Sequence, residues 1–333
     1  MFDASKCDKC GDCFVRCQYV DYSREKAIEE ITALIEGRDA GILKECVTCV
    51  ACNEYCPQGA NPYDLICQLQ EEKDILPVPE STIKWMDDAV IIPNEISRGH
   101  RDRPALTLCA MERYFPVGSF DGQMFEGLTL VKGGAYFCNI GYLHAARESV
   151  VERKAQDFIN QMAGVGVSEF IIPHADCYAM LTTKAEEYGI EVPFSVVHIF
   201  EYLLNYLKDH RDSITRLNRK IAYQRPCASR WATDVEPMLD ELFELLGVQR
   251  VARRYDREDA LCCGGMLIRK ERDRALQIQD MNLTDAQAHG AEAMVFLCPY
   301  CHYILQRSCG ERGLVPIFIT HLCRMALGEL PFS

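Results

Sequence analysis

The chain has 333 residues, a formal net charge of −13 at pH 7 and 19 cysteines. This length allows two or three domains with ordinary hydrophobic cores, and the negative charge argues against non-specific binding to nucleic acid, which needs a basic surface. No apolar run approaches the roughly 20 residues of a membrane span, so we expect a cytoplasmic protein that is soluble or docked on a membrane through a partner.

The cysteines are too numerous for an intracellular enzyme that uses them only as small apolar residues. Many are separated by two residues, a spacing that favours metal binding over a disulfide framework. No signal peptide precedes them, and the chain is not a small secreted scaffold. We therefore expect most of these thiols to bind metal.

Two cysteine runs of equal spacing occupy residues 1–57. They are Cys7-x2-Cys10-x2-Cys13-x3-Cys17 and Cys46-x2-Cys49-x2-Cys52-x3-Cys56. This is the spacing of bacterial ferredoxins, in which three close thiolates bind one [4Fe–4S] cubane and the fourth binds the other. The expected ligand sets are Cys7, Cys10, Cys13 and Cys56 for one cubane, and Cys46, Cys49, Cys52 and Cys17 for the other. Zinc knuckles also use a C-x2-C step, but the third and fourth cysteines are typical of ferredoxins.

Helices are expected around these runs. Ser23 to Gly37 predicts a helix with Ser23 as N-cap and with Ile28, Ile31 and Ile35 on one face, and a second helix begins at Asn61-Pro62. Residues 1–75 are therefore predicted to form a helical ferredoxin domain. Two neighbouring cubanes indicate an electron-transfer chain, whereas Cys67 lies outside the runs and is interpreted as a buried structural thiol.

Residues 76–104 differ in composition, with four prolines at positions 77, 79, 93 and 104 and weak periodicity. This pattern predicts a linker that wraps one domain onto the next, with Trp85 as an anchor. No chemistry is assigned to it.

An internal repeat follows, because residues 168–198 can be laid over residues 291–321. In each copy a short apolar run predicts a buried strand, at 170–172 and at 294–297, followed by a polar helix. Ligands in such units lie at the carboxyl ends of the strands. The predicted fold class is α/β, with the ferredoxin domain followed by duplicated α/β halves at 105–212 and 213–333.

Five thiols converge in the second half. Cys227 precedes the adjacent pair Cys262-Cys263 by 35 residues, and Cys298-Pro-Tyr-Cys301 begins 35 residues after that pair. Adjacent thiolates followed by glycines suit a cluster better than a core. The pattern resembles the CCG domain of the heterodisulfide reductase catalytic subunit, and the resemblance implies that Cys227, Cys262, Cys263, Cys298 and Cys301 bind a noncubane iron–sulfur cluster at which catalysis takes place.

The first half carries an altered version of this pattern. Cys109, Cys138, His174 and Cys177 occupy the corresponding positions, so that three thiols and one imidazole replace five thiols. Three interpretations remain open: an altered cluster with a histidine ligand, a zinc site, because a Cys3His set suits zinc, or a vestige that binds nothing.

Two histidines and four basic residues have no ligand spacing. His198 and His321 occupy equivalent points of the repeat, and we interpret them as helix caps or packing residues, not as proton donors. Four basic residues flank the CCG cysteines in sequence and suit the anionic tail of a substrate, a solvated helix face or a partner surface equally well. They are Arg225, Arg230, Arg269 and Lys270.

The resemblance spans almost the whole chain and implies an oxidoreductase subunit of a larger complex. Fused ferredoxin and CCG parts also resemble the iron–sulfur subunits of glycolate oxidase and anaerobic glycerol-3-phosphate dehydrogenase. The chain contains no dinucleotide, ATP or zinc-protease motif, so flavin-derived electrons would come from another polypeptide.

Two functions follow as hypotheses. The first is an iron–sulfur subunit that passes electrons through two cubanes to the noncubane cluster and reduces a small-molecule disulfide or a protein thiol-type substrate. The second is a non-catalytic electron-transfer subunit between a flavoprotein dehydrogenase and a quinone or a membrane cytochrome.

Overall fold

The computed structural model describes residues 1–332. Its N-terminal part is helical. Its helices are α1 (Asp12–Val15), α2 (Arg24–Ile35), α3 (Ile42–Glu45), α4 (Ala51–Tyr55) and α5 (Pro62–Glu72). We call residues 1–75 the head. The Ser23 hydroxyl caps α2 by accepting from the Lys26 N–H at 3.2 Å, and Pro62 opens α5, as the sequence predicts. The buried face of α2 differs from the prediction, because Ala27, Ile31 and Leu34 are buried while Ile28 is 40% exposed.

Residues 76–104, which we call the joining segment, contain more structure than a linker. They form helix α6 (Glu80–Ala89) and strand β1 (Glu95–Ser97), and β1 pairs antiparallel with a strand of the first half. Met86 is fully buried on α6. The prolines that suggested a linker therefore lie beside these elements and do not exclude them.

The first half is built on a mostly parallel sheet. Its elements are β2 (Ala105–Cys109), β3 (Thr129–Lys132), α7 (Glu148–Ala163), β4 (Glu169–Ile172), α8 (Ala175–Ala179), a π-helical turn (Met180–Lys184), α9 (Ala185–Glu187), β5 (Ser195–His198) and α10 (Ile199–Asp209). The strand order is β1-β3-β2-β4-β5, and all pairings except β1 with β3 are parallel. Helices on such a sheet bury its apolar strands.

The second half repeats this plan. Its elements are β6 (Lys220–Gln224), α11 (Glu236–Leu246), β7 (Gln249–Arg250), α12 (Arg272–Ala288), β8 (Ala293–Phe296), α13 (Pro299–Glu311), β9 (Val315–Phe318) and α14 (Ile319–Ala326). The parallel order β7-β6-β8-β9 matches β3-β2-β4-β5 of the first half. The predicted α/β class is confirmed. None of the helices within residues 1–332 is both long enough and apolar enough to cross a membrane.

The head docks on the first half through a buried cation. The Lys184 side chain is fully buried in the π-helical turn, 2.7 Å from a Glu187 carboxylate oxygen and 3.6 Å from that of Asp64 in the head. Burial alone would lower the pKa of Lys184, but the carboxylates of Asp64 and Glu187 raise it above its usual value. The charged amine therefore fixes α5 of the head against the first half.

His198 ends β5 and caps α10, as the sequence suggests. Its Nδ1 accepts from the Phe200 N–H at 3.1 Å, and burial lowers the pKa of His198 to about 3. Because the unfolded chain protonates this histidine with a pKa of about 6.5, stability should fall as the pH drops below that value. We expect a loss of about 1 kcal/mol between pH 7 and pH 5.5.

Anaerobic thermal unfolding at the two pH values would measure this effect. His198→Asn keeps a side-chain acceptor at the cap and should remove this part of the pH dependence. Equal pH dependence in the wild type and the variant would contradict the assignment.

Candidate functional site

The head gathers its thiols into two neighbouring groups. Burial raises the pKa of the Cys13 thiol above its usual range, and the charges of three neighbouring thiolates raise it further. Those neighbours are Cys56, Cys7 and Cys10. Cys52 is buried in the same way next to Cys46 and Cys49, with Cys13 and Cys17 beyond them. The fourth cysteine of each run is thus near thiols of the other run, as the predicted ligand sets of two cubanes require.

Local backbone geometry is the same in the two runs. The residue before the second cysteine is left-handed in both, with φ 59° at Lys9 and at Thr48, and so is the residue after it, with φ 77° at Gly11 and 67° at Val50. Left-handed threonine and valine are strained conformations. In these left-handed conformations the backbone curves around the thiols, and the Thr48 N–H points to Cys46 Sγ at 3.3 Å.

The five cysteines of the second half lie at the carboxyl edge of its sheet. Cys227 begins a short helical turn after β6, Cys262 and Cys263 lie in the loop before α12, and Cys298 and Cys301 open α13. Neighbouring thiols contact one another in the order Cys227, Cys262, Cys263, Cys301, Cys298. The structure therefore brings all five together as one row.

Hydrogen bonds make two of these thiols acidic. Hydrogen bonds from the Cys227 and Cys263 thiols lower the pKa of Cys262 well below its usual value, and the Gly264 N–H adds to this at 3.3 Å. A hydrogen bond from Cys301 lowers the pKa of Cys298 to about 5, with His174 contributing. Thiolates are the form that binds metal, and five sulfur donors in one dry site fit an iron–sulfur cluster.

The glycines after the cysteine pair shape this loop. Gly264 has φ 71°, a left-handed conformation, and a Cβ at Gly265 would lie 2.7 Å from the Tyr300 ring. The loop is also held by buried amides, since Gln279 Nε2 donates to the Cys263 carbonyl at 3.0 Å and Gln224 Nε2 donates to that of Leu261 at 2.9 Å. These contacts fix the direction of both adjacent thiols.

Tyr19 connects the head to this row of thiols. Its hydroxyl accepts from the Cys262 N–H at 2.7 Å. Burial raises the pKa of Tyr19 well above its usual value, and the charges of Cys49 and Cys262 raise it further. The second thiol group of the head and the row of five are therefore separated by one tyrosine side chain.

Two buried arginines of the second half form ion pairs with the head near Tyr19. Arg225 Nη1 donates to both carboxylate oxygens of Glu54 at 2.9 and 2.7 Å, and Arg230 Nε lies 3.5 Å from the same carboxylate. The side chains of Arg225 and Arg230 are only 2% and 1% exposed. The interpretation of these two residues as a substrate or partner surface is therefore wrong, because they are buried and paired with the head. Arg269 and Lys270 are exposed.

The altered set of the first half is also assembled. The ligand atoms of Cys109, His174 and Cys177 all lie within 4.8 Å of one another and are buried, and Cys177 hydrogen-bonds to Cys138 as well as to Cys109. His174 joins this set to the row of five, since its Nε2 lies 3.7 Å from Cys298 Sγ. The two halves therefore present their thiols to each other.

A cavity opens beside the row of five thiols. Its volume is about 80 Å³, and Cys227, Cys262, Cys263, Cys298 and Cys301 line it together with His144, His174 and Asp176. Its apolar wall is formed by Trp85, Met86, Met111, Phe137, Met266 and Tyr300. Trp85 stacks on Tyr300 with ring centres 6.1 Å apart.

Sequence reasoning missed part of this wall. The joining segment was assigned no chemistry, yet its Trp85 and Met86 line the cavity. His144 was not predicted as a site residue. It lines the cavity, and its Nδ1 lies 2.6 Å from the Thr48 carbonyl oxygen. The lone Trp85 in a proline-rich segment was a local sequence signal for this part of the wall. No local sequence pattern indicated His144.

A family model described as a cysteine-rich domain of the CCG type matches residues 221–306, the segment that contains all five thiols. Residues 221–306 are therefore similar to CCG domains. The domain match and the 19 cysteines support the predicted iron–sulfur and metal-binding character of the chain.

Two relatives are named as components of the dihydromethanophenazine:CoB–CoM heterodisulfide reductase. The one from Methanosarcina acetivorans is 26% identical over 173 residues, which cover 50% of this chain and 42% of the relative. The one from Methanosarcina mazei is 25% identical over 173 residues with the same coverage. The match to this chain thus spans less than half the length of these relatives.

A solved structure shares the fold. It is described as a hypothetical protein from Helicobacter pylori and superposes with a TM-score of 0.59 over 92% of this chain and 64% of that chain, at 12% identity. At this identity the likeness concerns the architecture of the chain and not its chemistry.

Proposed function

We propose that this chain is the iron–sulfur subunit of an oxidoreductase complex that reduces a disulfide at the row of five CCG thiols. The observation that carries the proposal is that this row lines an open cavity on one side and contacts Tyr19 of the head on the other. The arrangement supports both a route for electrons and a place for a substrate.

The thiol groups divide into three cluster sites in this proposal. Two cubanes are held by the head cysteines, with Cys7, Cys10, Cys13 and Cys56 in one set and Cys46, Cys49, Cys52 and Cys17 in the other, and the CCG thiols hold the third cluster. When bound, such clusters accept and donate single electrons. The charge of Cys13 raises the pKa of Cys52 and that of Cys262 raises the pKa of Cys49, which supports this order of sites.

The reaction requires electrons and protons in equal number. Reduction of R–S–S–R′ breaks the S–S bond, and each sulfur takes one electron and one proton to give RSH and R′SH. The electrons come one at a time from a redox partner subunit, such as a flavoprotein. His144 and His174 are the imidazoles on the cavity wall, and we assign the delivery of a proton to His144, because His174 is engaged by thiols on both ring nitrogens.

The charge of the cavity wall restricts the substrate. Within the described residues 1–332, Asp176 is the charged side chain that lines the cavity, and no lysine or arginine does so. A carboxylate repels anions in a low-dielectric site, while the aromatic and methionine wall favours apolar surface. The proposal is therefore a disulfide with uncharged, apolar groups next to its sulfurs.

Electron paramagnetic resonance of the oxidised protein, with and without an added uncharged thiol, tests the proposal. A substrate-binding centre should give a thiol-dependent signal, whereas a relay in a non-catalytic electron-transfer subunit should give none. His144→Gln should leave all three cluster signals intact and reduce disulfide reduction by about 100-fold, the usual range for loss of a proton donor. Unchanged spectra on thiol addition would overturn the catalytic assignment in favour of the relay.

A further inference from the structure

We infer that the buried guanidinium of Arg230 raises the reduction potentials of the second head centre and of the CCG centre, and that it thereby directs electrons from the first head centre towards the row of five thiols. The first head centre is the one at Cys7, Cys10, Cys13 and Cys56. The second is the one at Cys46, Cys49, Cys52 and Cys17. The inference rests on the clusters of the proposed function and adds to them a direction of electron flow and the residue that sets it.

The Arg230 side chain is held against the segments that carry the CCG thiols. Arg230 ends the short helical turn that begins at Cys227. Its Nη2 donates to the carbonyl of Ala260 at 2.8 Å and to that of Glu258 at 3.0 Å, in the loop that leads to Cys262. The guanidinium is therefore fixed beside two of the three segments that supply the row.

The same guanidinium reaches the second head centre. Its Nε lies 3.5 Å from the carboxylate of Glu54, which follows Cys52 by two residues. Burial alone would lower the pKa of Arg230, but the charges of Cys49 and Cys227, one thiol from each centre, raise it above its usual value. One cation thus acts on both centres.

The charge of Arg230 is shielded from solvent and only partly neutralised. The side chain is 1% exposed, and its buried Nε has no hydrogen-bond acceptor among residues 1–332. Glu54 is shared, because both of its oxygens also accept from Arg225 Nη1 at 2.9 and 2.7 Å. A charge acts more strongly on its neighbours in a buried site than in water. Reduction makes an iron–sulfur cluster more negative, so a buried cation beside it favours the reduced form and raises its potential.

An exposed cation lies beside the first head centre. Arg24 Nη1 donates to the Cys10 carbonyl at 2.7 Å, but the Arg24 side chain is 48% exposed and is paired with Asp12. Solvent and salt screen such a pair, so Arg24 raises the potential of its centre less than Arg230 raises those of the other two. Electrons move towards the higher potential, which here is the side of the CCG row. Arg230 does not line the cavity, and its role concerns electron transfer and not the substrate.

Redox titration of the anaerobically purified full-length protein, monitored by electron paramagnetic resonance, tests the inference. Arg230→Gln should lower the potentials of the second head centre and of the CCG centre by about 59 mV, which is a tenfold change in a one-electron equilibrium, and should change the first head centre less. Glu54 keeps its partner Arg225 in this variant. Arg230→Lys retains the positive charge and should restore most of the shift. Unchanged potentials in Arg230→Gln would overturn the inference.

The sign of the shift separates a charge effect from a loosened junction. Glu54→Gln removes the opposing negative charge and should raise both potentials, whereas loosening of the junction would move them in the same direction in Glu54→Gln and in Arg230→Gln. A shift in the same direction would therefore overturn the role of the charge. Glu54→Gln decides by its direction alone if Arg230→Gln does not fold.

Lys184→Met is the matched control, because it removes a fully buried cation from the other contact of the head. Its carboxylate partners Asp64 and Glu187 are not within two residues of a predicted cluster ligand. This variant should leave the three potentials unchanged, and a shift as large as that of Arg230→Gln would contradict the assignment to Arg230.

The potentials and the proposed catalysis can fail separately. Opposite shifts in Arg230→Gln and Glu54→Gln without a thiol-dependent signal would support the role of Arg230 and refute disulfide reduction. A thiol-dependent signal without these shifts would support disulfide reduction and overturn the role of Arg230.

Discussion

Replacing Cys263 with alanine should remove the CCG centre and leave the two centres of the head. Cys263 contacts Cys262 on one side and Cys301 on the other, so its loss interrupts the row of thiols at its middle. If the chain binds the three proposed [4Fe–4S] clusters, it should lose about one third of its iron. Disulfide reduction should fall by about 100-fold or more.

Iron analysis and low-temperature electron paramagnetic resonance of the reduced and oxidised protein would measure this result. Cys309→Ala removes an equally buried thiol from the same half without touching the row, and it should retain iron and activity. If Cys263→Ala and Cys309→Ala behave alike, or if the cubane signals disappear together with the CCG signal, the division into three sites is incorrect.

Replacing Glu54 with glutamine should destabilise the junction between the head and the second half. Glu54 pairs with Arg230 and shares Arg225 with Glu236, which lies 3.4 Å from Arg225 Nε, and the side chains of Arg225 and Arg230 are 2% and 1% exposed. The uncompensated charge in the variant is therefore that of Arg230. Removing one partner of a buried ion pair leaves an uncompensated charge and costs about 3 kcal/mol. In a chain of this size this corresponds to a fall of roughly 5–10 °C in melting temperature.

An exposed ion pair across the same junction provides the control. Arg16 of the head lies 2.9 Å from Glu258 of the second half, with side chains 38% and 51% exposed. Glu258→Gln should cost less than about 1 kcal/mol. Anaerobic thermal unfolding of both variants, monitored by the loss of cluster absorbance, measures the two changes in melting temperature. Equal changes would mean that the burial of the arginines does not explain the effect of Glu54.

The parts of the site that the sequence predicts are those with local spacing. The cysteine runs and the CCG pattern are read directly, because ligands of one centre from one loop must be a few residues apart. The repeat placed β4 and β8 correctly, since buried strands followed by helices have a recognisable period. The register between Cys138 and His174 also survives in the assembled first-half set.

The parts that the sequence does not predict depend on packing between distant segments. Arg225 and Arg230 look like solvent-facing charges until α4 brings Glu54 against them. Tyr19 and His144 reach the thiols only because the head folds back on both halves. Ile28 was expected on the buried face of α2, but the helix is rotated so that Ala27 faces inward and contacts Gly11.

The position of Trp85 and Met86 has a consequence for how the polypeptide is divided. Because the joining segment between the head and the first half supplies part of the cavity wall, neither unit contains the whole wall by itself. A head expressed apart from residues 76–104 would lack Trp85 and Met86, and a C-terminal piece that begins after residue 104 would lack this side of the cavity as well. The joining segment must therefore remain part of the chain if the wall is to shield the thiol row from solvent.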